Sequence, residues 1–80
     1  MNRSELLKEL NEIFVDVLDT DGLVINEQTT AKDVDEWDSL NHIQLVVAIE
    51  KHFKIRFTSQ EIQNWNNVGE MLNSISAKLN

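Results

Sequence analysis

Asp38-Ser39-Leu40-Asn41-His42-Ile43-Gln44-Leu45-Val46-Val47-Ala48-Ile49-Glu50-Lys51-His52-Phe53 is the stretch that decides the fold. Its apolar residues recur at intervals of three and four, the period of a helix. Asp38 can cap that helix, because its carboxylate accepts from a first-turn amide and sits at the positive end of the helix dipole. The spacing predicts a helix from Ser39 to about Lys54. At about 100° of turn per residue, Leu45, Val46, Ile49 and Phe53 form one stripe, while Leu40, Ile43 and Val47 form a second beside Ser39. A helix apolar on two sides is either enclosed by protein or offers one side to a partner. The first stripe is assigned to the core and the second to partner contact. The competing reading, in which a loop covers Leu40 and Val47, is distinguished by their exposure.

Upstream, Leu6, Leu7, Leu10, Ile13, Phe14, Val17 and Leu18 keep the same period. They predict a helix from about Ser4, its N-cap, to Leu18, ended by the turn residues Asp19-Thr20-Asp21-Gly22. The connection from there to Asp38 is longer than most loops in compact domains, so it either carries function or is packed down by its own side chains. Leu23, Val24, Ile25, Val34 and Trp37 supply the apolar surface. Downstream, Thr58-Ser59-Gln60-Glu61 fits a capping box and starts a short third helix. Asn67-Val68-Gly69-Glu70 repeats the pattern with asparagine, and Val68, Met71, Leu72, Ile75 and Leu79 mark the last helix. The expectation is an all-α four-helix bundle with three longer helices, a short third helix and a long loop between helices one and two, forming a single domain over residues 1–80.

Composition narrows the function classes. Seven basic against fourteen acidic residues give a net charge of −7, which disfavours nucleic acid and favours basic partner surfaces. The chain has no cysteine, so any thiol chemistry must come from an imported group. Met1 to Leu10 alternate charged and apolar residues, and no segment approaches the roughly 20 apolar residues of a membrane span. A soluble, unprocessed, cytoplasmic monomer is expected. Aligning Gly22 with the sixth position of a calcium loop puts Val17 first and Gln28 twelfth, where anionic oxygen ligands are needed, so no metal site is read. Nothing assembles a nucleophile, base and oxyanion site, and the chain is read as non-catalytic.

Trp37-Asp38-Ser39-Leu40-Asn41-His42-Ile43-Gln44-Leu45-Val46 resembles the prosthetic-group attachment motif of acyl carrier proteins. The similarity runs on through Ala48-Ile49-Glu50-Lys51-His52-Phe53 to Asn67-Val68-Gly69-Glu70, and so covers most of the chain. The resemblance implies that Ser39 receives a 4′-phosphopantetheine arm from coenzyme A, joined as a phosphodiester by a separate phosphopantetheinyl transferase that uses magnesium. The arm's thiol would carry acyl groups as thioesters. A phosphate at that position would face free amides and the positive end of a helix dipole. Asp38 would cap the helix and help position the metal or the transferase. Leu40, Ile43, Gln44, Val47 and Glu50 would form the contact surface for the transferase and for acyl-loading and acyl-processing enzymes with basic docking patches.

Cargo stays open between fatty acyl, polyketide, aminoacyl and malonyl-type groups, because a common thiol accepts them all. An unmodified helical adaptor is the alternative from a different class; it uses the stripe and leaves Ser39 without a purpose. Asn41, Gln44 and Lys51 stand where fatty acid carriers commonly show acidic residues, so the partner surface is less negative than the total charge suggests. Trp37 before the aspartate is similar to stand-alone carriers of specialised pathways, and a large aromatic there also suits a packing anchor. His42, one turn beyond Ser39, is within reach of a phosphate or arm, although a lone histidine is more often a surface residue. His52 is too remote to assist it.

Overall fold

The computed structural model describes residues 2–79; Met1 and Asn80, the two ends of the expected 1–80 domain, lie outside the described residues. Four helices follow one another as α1 (Arg3–Leu18), α2 (Ser39–Phe53), α3 (Ser59–Asn64) and α4 (Val68–Leu79). Among the described residues there are no strands. Helix α1 packs chiefly on α2 and also on α4. The core between them is formed by Leu6, Leu10 and Phe14 of α1, Leu45 and Ile49 of α2, and Val68, Met71, Leu72 and Ile75 of α4, all essentially inaccessible. Each large side chain buried there contributes about 1.5–3 kcal/mol through removal of apolar surface from water. These are the period-three-and-four positions read from the sequence.

The helix ends show where local chemistry is decisive and where it is not. Asp38 caps α2, accepting from the Asn41 amide at 2.8 Å, and Lys54 closes its other end in the left-handed region. The Thr58–Glu61 capping box is complete: Thr58 Oγ1 accepts from the Glu61 amide and Glu61 Oε1 from the Thr58 amide. At α1 the cap is Asn2, not Ser4. Asn2 Oδ1 accepts from the Glu5 amide at 2.9 Å while its Nδ2 donates to the Glu5 carboxylate, a reciprocal pair that Ser4, with Leu7 three residues on, cannot make.

The long loop is fastened by polar side chains as well as by packing. Asn11 of α1 grips it, donating from Nδ2 to the Leu23 carbonyl at 3.0 Å and accepting the Ile25 amide on Oδ1 at 2.6 Å. Ile25, Val34 and Trp37 are buried in the core and Leu23 is packed against it. Val24, expected among the packing residues, is 82% exposed. Asn11 holds the backbone on both sides of Val24, which turns Leu23 and Ile25 toward α1 and leaves Val24 outward. Further along, the Glu27 and Thr29 carbonyls accept from the Gly69 and Val68 amides, both at 2.9 Å. The loop thereby caps the start of α4. Arg3 bridges the same place, donating to the Glu27 carboxylate and the Gly69 carbonyl. Gly69 suits this close approach, since a Cβ there would lie 3.0 Å from the Glu27 carbonyl oxygen, and the loop would have to give by a few tenths of an ångström.

Candidate functional site

Ser39 is the first residue of α2 and is exposed. Its hydroxyl makes no hydrogen bond among the described residues. The first amides of a helix lack an intrahelical acceptor; here the Asn41 amide is taken by the Asp38 carboxylate and the His42 amide by the Asp38 carbonyl. The Ser39 and Leu40 amides have no partner among the described residues. An oxygen substituent on Ser39 would therefore meet two free N–H donors at the positive end of the helix dipole. Free amides at a helix N-terminus are an arrangement that can receive a phosphate.

A groove of about 480 Å³ opens beside Ser39, between the start of α2 and the α3 segment. Trp37, His42, Ile62 and Trp65 supply much of its wall, and Asp38 stands at its mouth. Trp37 is the buried anchor expected of it, meeting Phe14 edge-on at 4.9 Å between ring centroids. Its indole Nε1 donates to His42 Nδ1 at 3.0 Å. Periodicity and motif do not reveal this partnership between Trp37 and His42. Five residues apart, a buried indole N–H and an imidazole are the signal that points to it, because an indole inside a protein needs an acceptor. Trp65 closes α3 onto the body of the protein, edge-on to Phe57 and donating to Ser74 Oγ.

The second stripe of α2 lies open. Leu40 is 66% exposed, Ile43 62% and Val47 44%, so the loop does not cover them, and Gln44 is exposed among them. Glu50, half-buried at the far end of this face, is also engaged internally. Its carboxylate accepts from the Phe57 amide at 2.9 Å and ties α2 to the following turn. Lys51, Lys54 and Arg56 surround Val47 and Glu50 there. The face accordingly passes from acidic residues near Ser39, through apolar ones, to basic ones. His52 points elsewhere, pairing with Glu9 of α1 at 2.7 Å. Among the described residues no group of His, Asp and Glu side chains could hold a metal ion, and no helix is long and apolar enough to cross a membrane.

Two carboxylates have environments that shift their titration. The Arg3 hydrogen bond holds Glu27 below the ordinary carboxylate range. For Glu61 the Thr58 amide acts first and Lys78 second, in the same direction.

Residues 8–75 match the family model described as the phosphopantetheine attachment site. The chain is 31% identical over 80 residues to the acyl carrier protein of Thermosynechococcus vestitus, covering 99% of this chain and 98% of that one. It is 30% identical over 80 residues to the acyl carrier protein of Petrotoga mobilis, covering 100% and 94%. Among solved structures, the holo acyl carrier protein of Geobacter metallireducens matches with a TM-score of 0.86 at 42% identity, covering 91% of this chain and 84% of that one. The acyl carrier protein of Thermotoga maritima matches with the same TM-score at 28% identity, covering 99% and 92%.

Proposed function

The chain belongs to the acyl carrier proteins of the phosphopantetheine attachment family, and from that premise we propose that Ser39 is the residue that bears its covalent 4′-phosphopantetheine. The observation that carries this reading is the exposed, unbonded Ser39 hydroxyl at the start of α2, with the Ser39 and Leu40 amides free beside it. The group fits these residues: two free backbone donors could hold its phosphate, and the groove walled by Trp37, His42, Ile62 and Trp65 lies beside Ser39. When attached, the arm supplies the terminal thiol that this cysteine-free chain lacks, and that thiol carries acyl groups as thioesters.

The chain's own residues play supporting parts. Asp38 fixes the first turn by its hydrogen bond to the Asn41 amide, so that the Ser39 hydroxyl is presented in one place. A separate phosphopantetheinyl transferase would take the Ser39 hydroxyl proton as the serine oxygen bonds to the pantetheine-side phosphorus of coenzyme A and the pyrophosphate link breaks, releasing adenosine 3′,5′-bisphosphate, and Asp38 would help to position the transferase or its magnesium ion. Leu40, Ile43, Gln44 and Val47 form the face that the transferase and the acyl-loading and acyl-processing enzymes contact, supported by their exposure. Glu50 belongs to this face through its edge position, with one carboxylate oxygen already engaged. The proposed setting is a cytoplasmic monomer of one domain, serving fatty acid, polyketide or related biosynthesis. Charge on such a face acts mainly on encounter rate and orientation.

Incubation of the apo protein with coenzyme A, magnesium and a broad-specificity phosphopantetheinyl transferase tests the attachment point by intact mass. The expected result is a gain of one arm, abolished in Ser39→Ala with the fold retained, as Ser39 is exposed. An unchanged wild-type mass, or an arm on Ser39→Ala, overturns the reading and leaves an unmodified adaptor as the better account.

A further inference from the structure

His42 lies one turn after Ser39 on α2, and both line the groove beside α3. Side chains three apart on a helix share a face, and each leans toward the N-terminus, so the imidazole reaches back over the turn that carries Ser39. The ring is held on two sides. Trp37 stacks on it with 6.0 Å between centroids and 23° between planes, and Trp65 meets it edge-on at 6.0 Å. An indole N–H can only donate, so the 3.0 Å Trp37 bond makes Nδ1 the acceptor and puts the proton of the neutral ring on Nε2. Nε2 has no protein partner among the described residues. It is not sealed away either, because no buried side-chain nitrogen or oxygen lacks a partner there.

The surroundings give that donor a use. The attachment end of α2 carries Asp35, Glu36 and Asp38, all exposed, which repel a phosphodiester, itself a permanent anion. No lysine or arginine lines the groove to offset them, and α3 and the turn after it offer Ile62, Gln63, Trp65 and Asn66, none of which titrates. Asp38 is the one other titratable group in the lining, and it is already bonded to the Asn41 amide. We propose that His42, with its tautomer set by Trp37, is a positioning residue that donates from Nε2 to the phosphodiester on Ser39 and holds it against the Ser39 and Leu40 amides. This rests on Ser39 being the attachment point. The competing role is purely structural, with His42 serving only as acceptor for the Trp37 indole.

Phosphorus NMR of the holo protein separates the two. A phosphodiester does not titrate between about pH 5 and 8, whereas a histidine does, so an inflection of the diester resonance reports a neighbouring imidazole. The expected result is one inflection in the wild type, absent in His42→Gln and retained in His52→Gln, because His52 pairs with Glu9 on α1. Glutamine keeps an oxygen for the Trp37 indole and has no ionisable ring, so the variant removes the source of the inflection and spares the fold. A flat diester resonance in the wild type, or an inflection that survives His42→Gln, overturns the proposal. Intact mass is read first: if no arm is found, or if Ser39→Ala accepts it, the attachment reading fails and this one falls with it.

Discussion

At the start of α4 every amide of the first turn has a partner, whereas at the start of α2 two have none. Val68 and Gly69 donate to the Thr29 and Glu27 carbonyls of the long loop, Glu70 to Asn67 Oδ1, and Met71 to the Asn67 carbonyl. At α2 Asp38 satisfies Asn41 and His42, and the Ser39 and Leu40 amides face outward. The same loop reaches both places. It closes one helix terminus by docking its backbone there and leaves the other open by turning into it through the buried Trp37. The difference separates a terminus used to hold the fold together from one left free for something outside it.

Substitution at Gly69 strains the closed end most. In Gly69→Ala the new Cβ meets the Glu27 carbonyl oxygen at 3.0 Å and Asn67 Oδ1 at 3.2 Å. The first is backbone and can retreat only by stretching the hydrogen bond it receives from residue 69. Overpacking of this kind costs about 1–3 kcal/mol, against up to about 1 kcal/mol regained from alanine's helix propensity. A net loss of about 1–2 kcal/mol in urea unfolding is expected. Unchanged stability would mean that the loop's grip on α4 is loose and the contrast overstated.

Loss of a cap acts differently at the two ends. Asp38→Ala and Asn67→Ala each remove one side-chain acceptor, and such losses run to about 0.5–2 kcal/mol. At α2 the Asn41 amide has no other acceptor, so its hydrogen exchange is expected to quicken, while the Ser39 and Leu40 amides, already unbonded, stay fast. At α4 the Val68 and Gly69 amides keep their loop carbonyls and should stay protected in Asn67→Ala. Equal fraying at both ends would break the distinction.

Acid gives the smallest effect. Glu27 has its folded-state titration lowered by the Arg3 hydrogen bond. Its contribution to stability is therefore complete above the ordinary carboxylate range and is lost as pH falls through the lower folded value. The pair is substantially exposed, so the loss is slight and screened by salt. Opening at Gly69, read as exchange corrected for its intrinsic pH dependence from neutral pH into that acid range, is expected to rise more in low salt than in high salt. A rise independent of salt would assign the effect to another group.

What can be read from the sequence follows from the range of each interaction. The α2 stripe assignments, the Asp38 cap and the Thr58–Glu61 box rest on neighbours within four residues, and periodicity or capping chemistry registers them directly. Asn2 is equally legible, because Asn2-Arg3-Ser4-Glu5 holds the reciprocal pair, and reading Ser4 as the cap leaves Glu5 out of account. The clamp by Asn11, the loop caps from Glu27 and Thr29, the Arg3 bridge and the close approach at Gly69 join residues far apart in the chain, for which no repeat exists. At the site, Ser39 and the open stripe are visible as local pattern, while the Trp37–His42 bond requires knowing which way two side chains turn.

Asn11 fastens the loop to α1 across only 12 and 14 residues, while Arg3 and Gly69 meet across 66. Closure entropy grows with the logarithm of the length closed, so the longer contact costs about 1.5 kcal/mol more than the shorter. Much of the conformational freedom of the long loop is thus given up against its immediate neighbour in sequence. The two carbonyls that α4 needs, those of Glu27 and Thr29, follow two and four residues after the Ile25 amide that Asn11 holds, so the segment α4 meets is restricted close by.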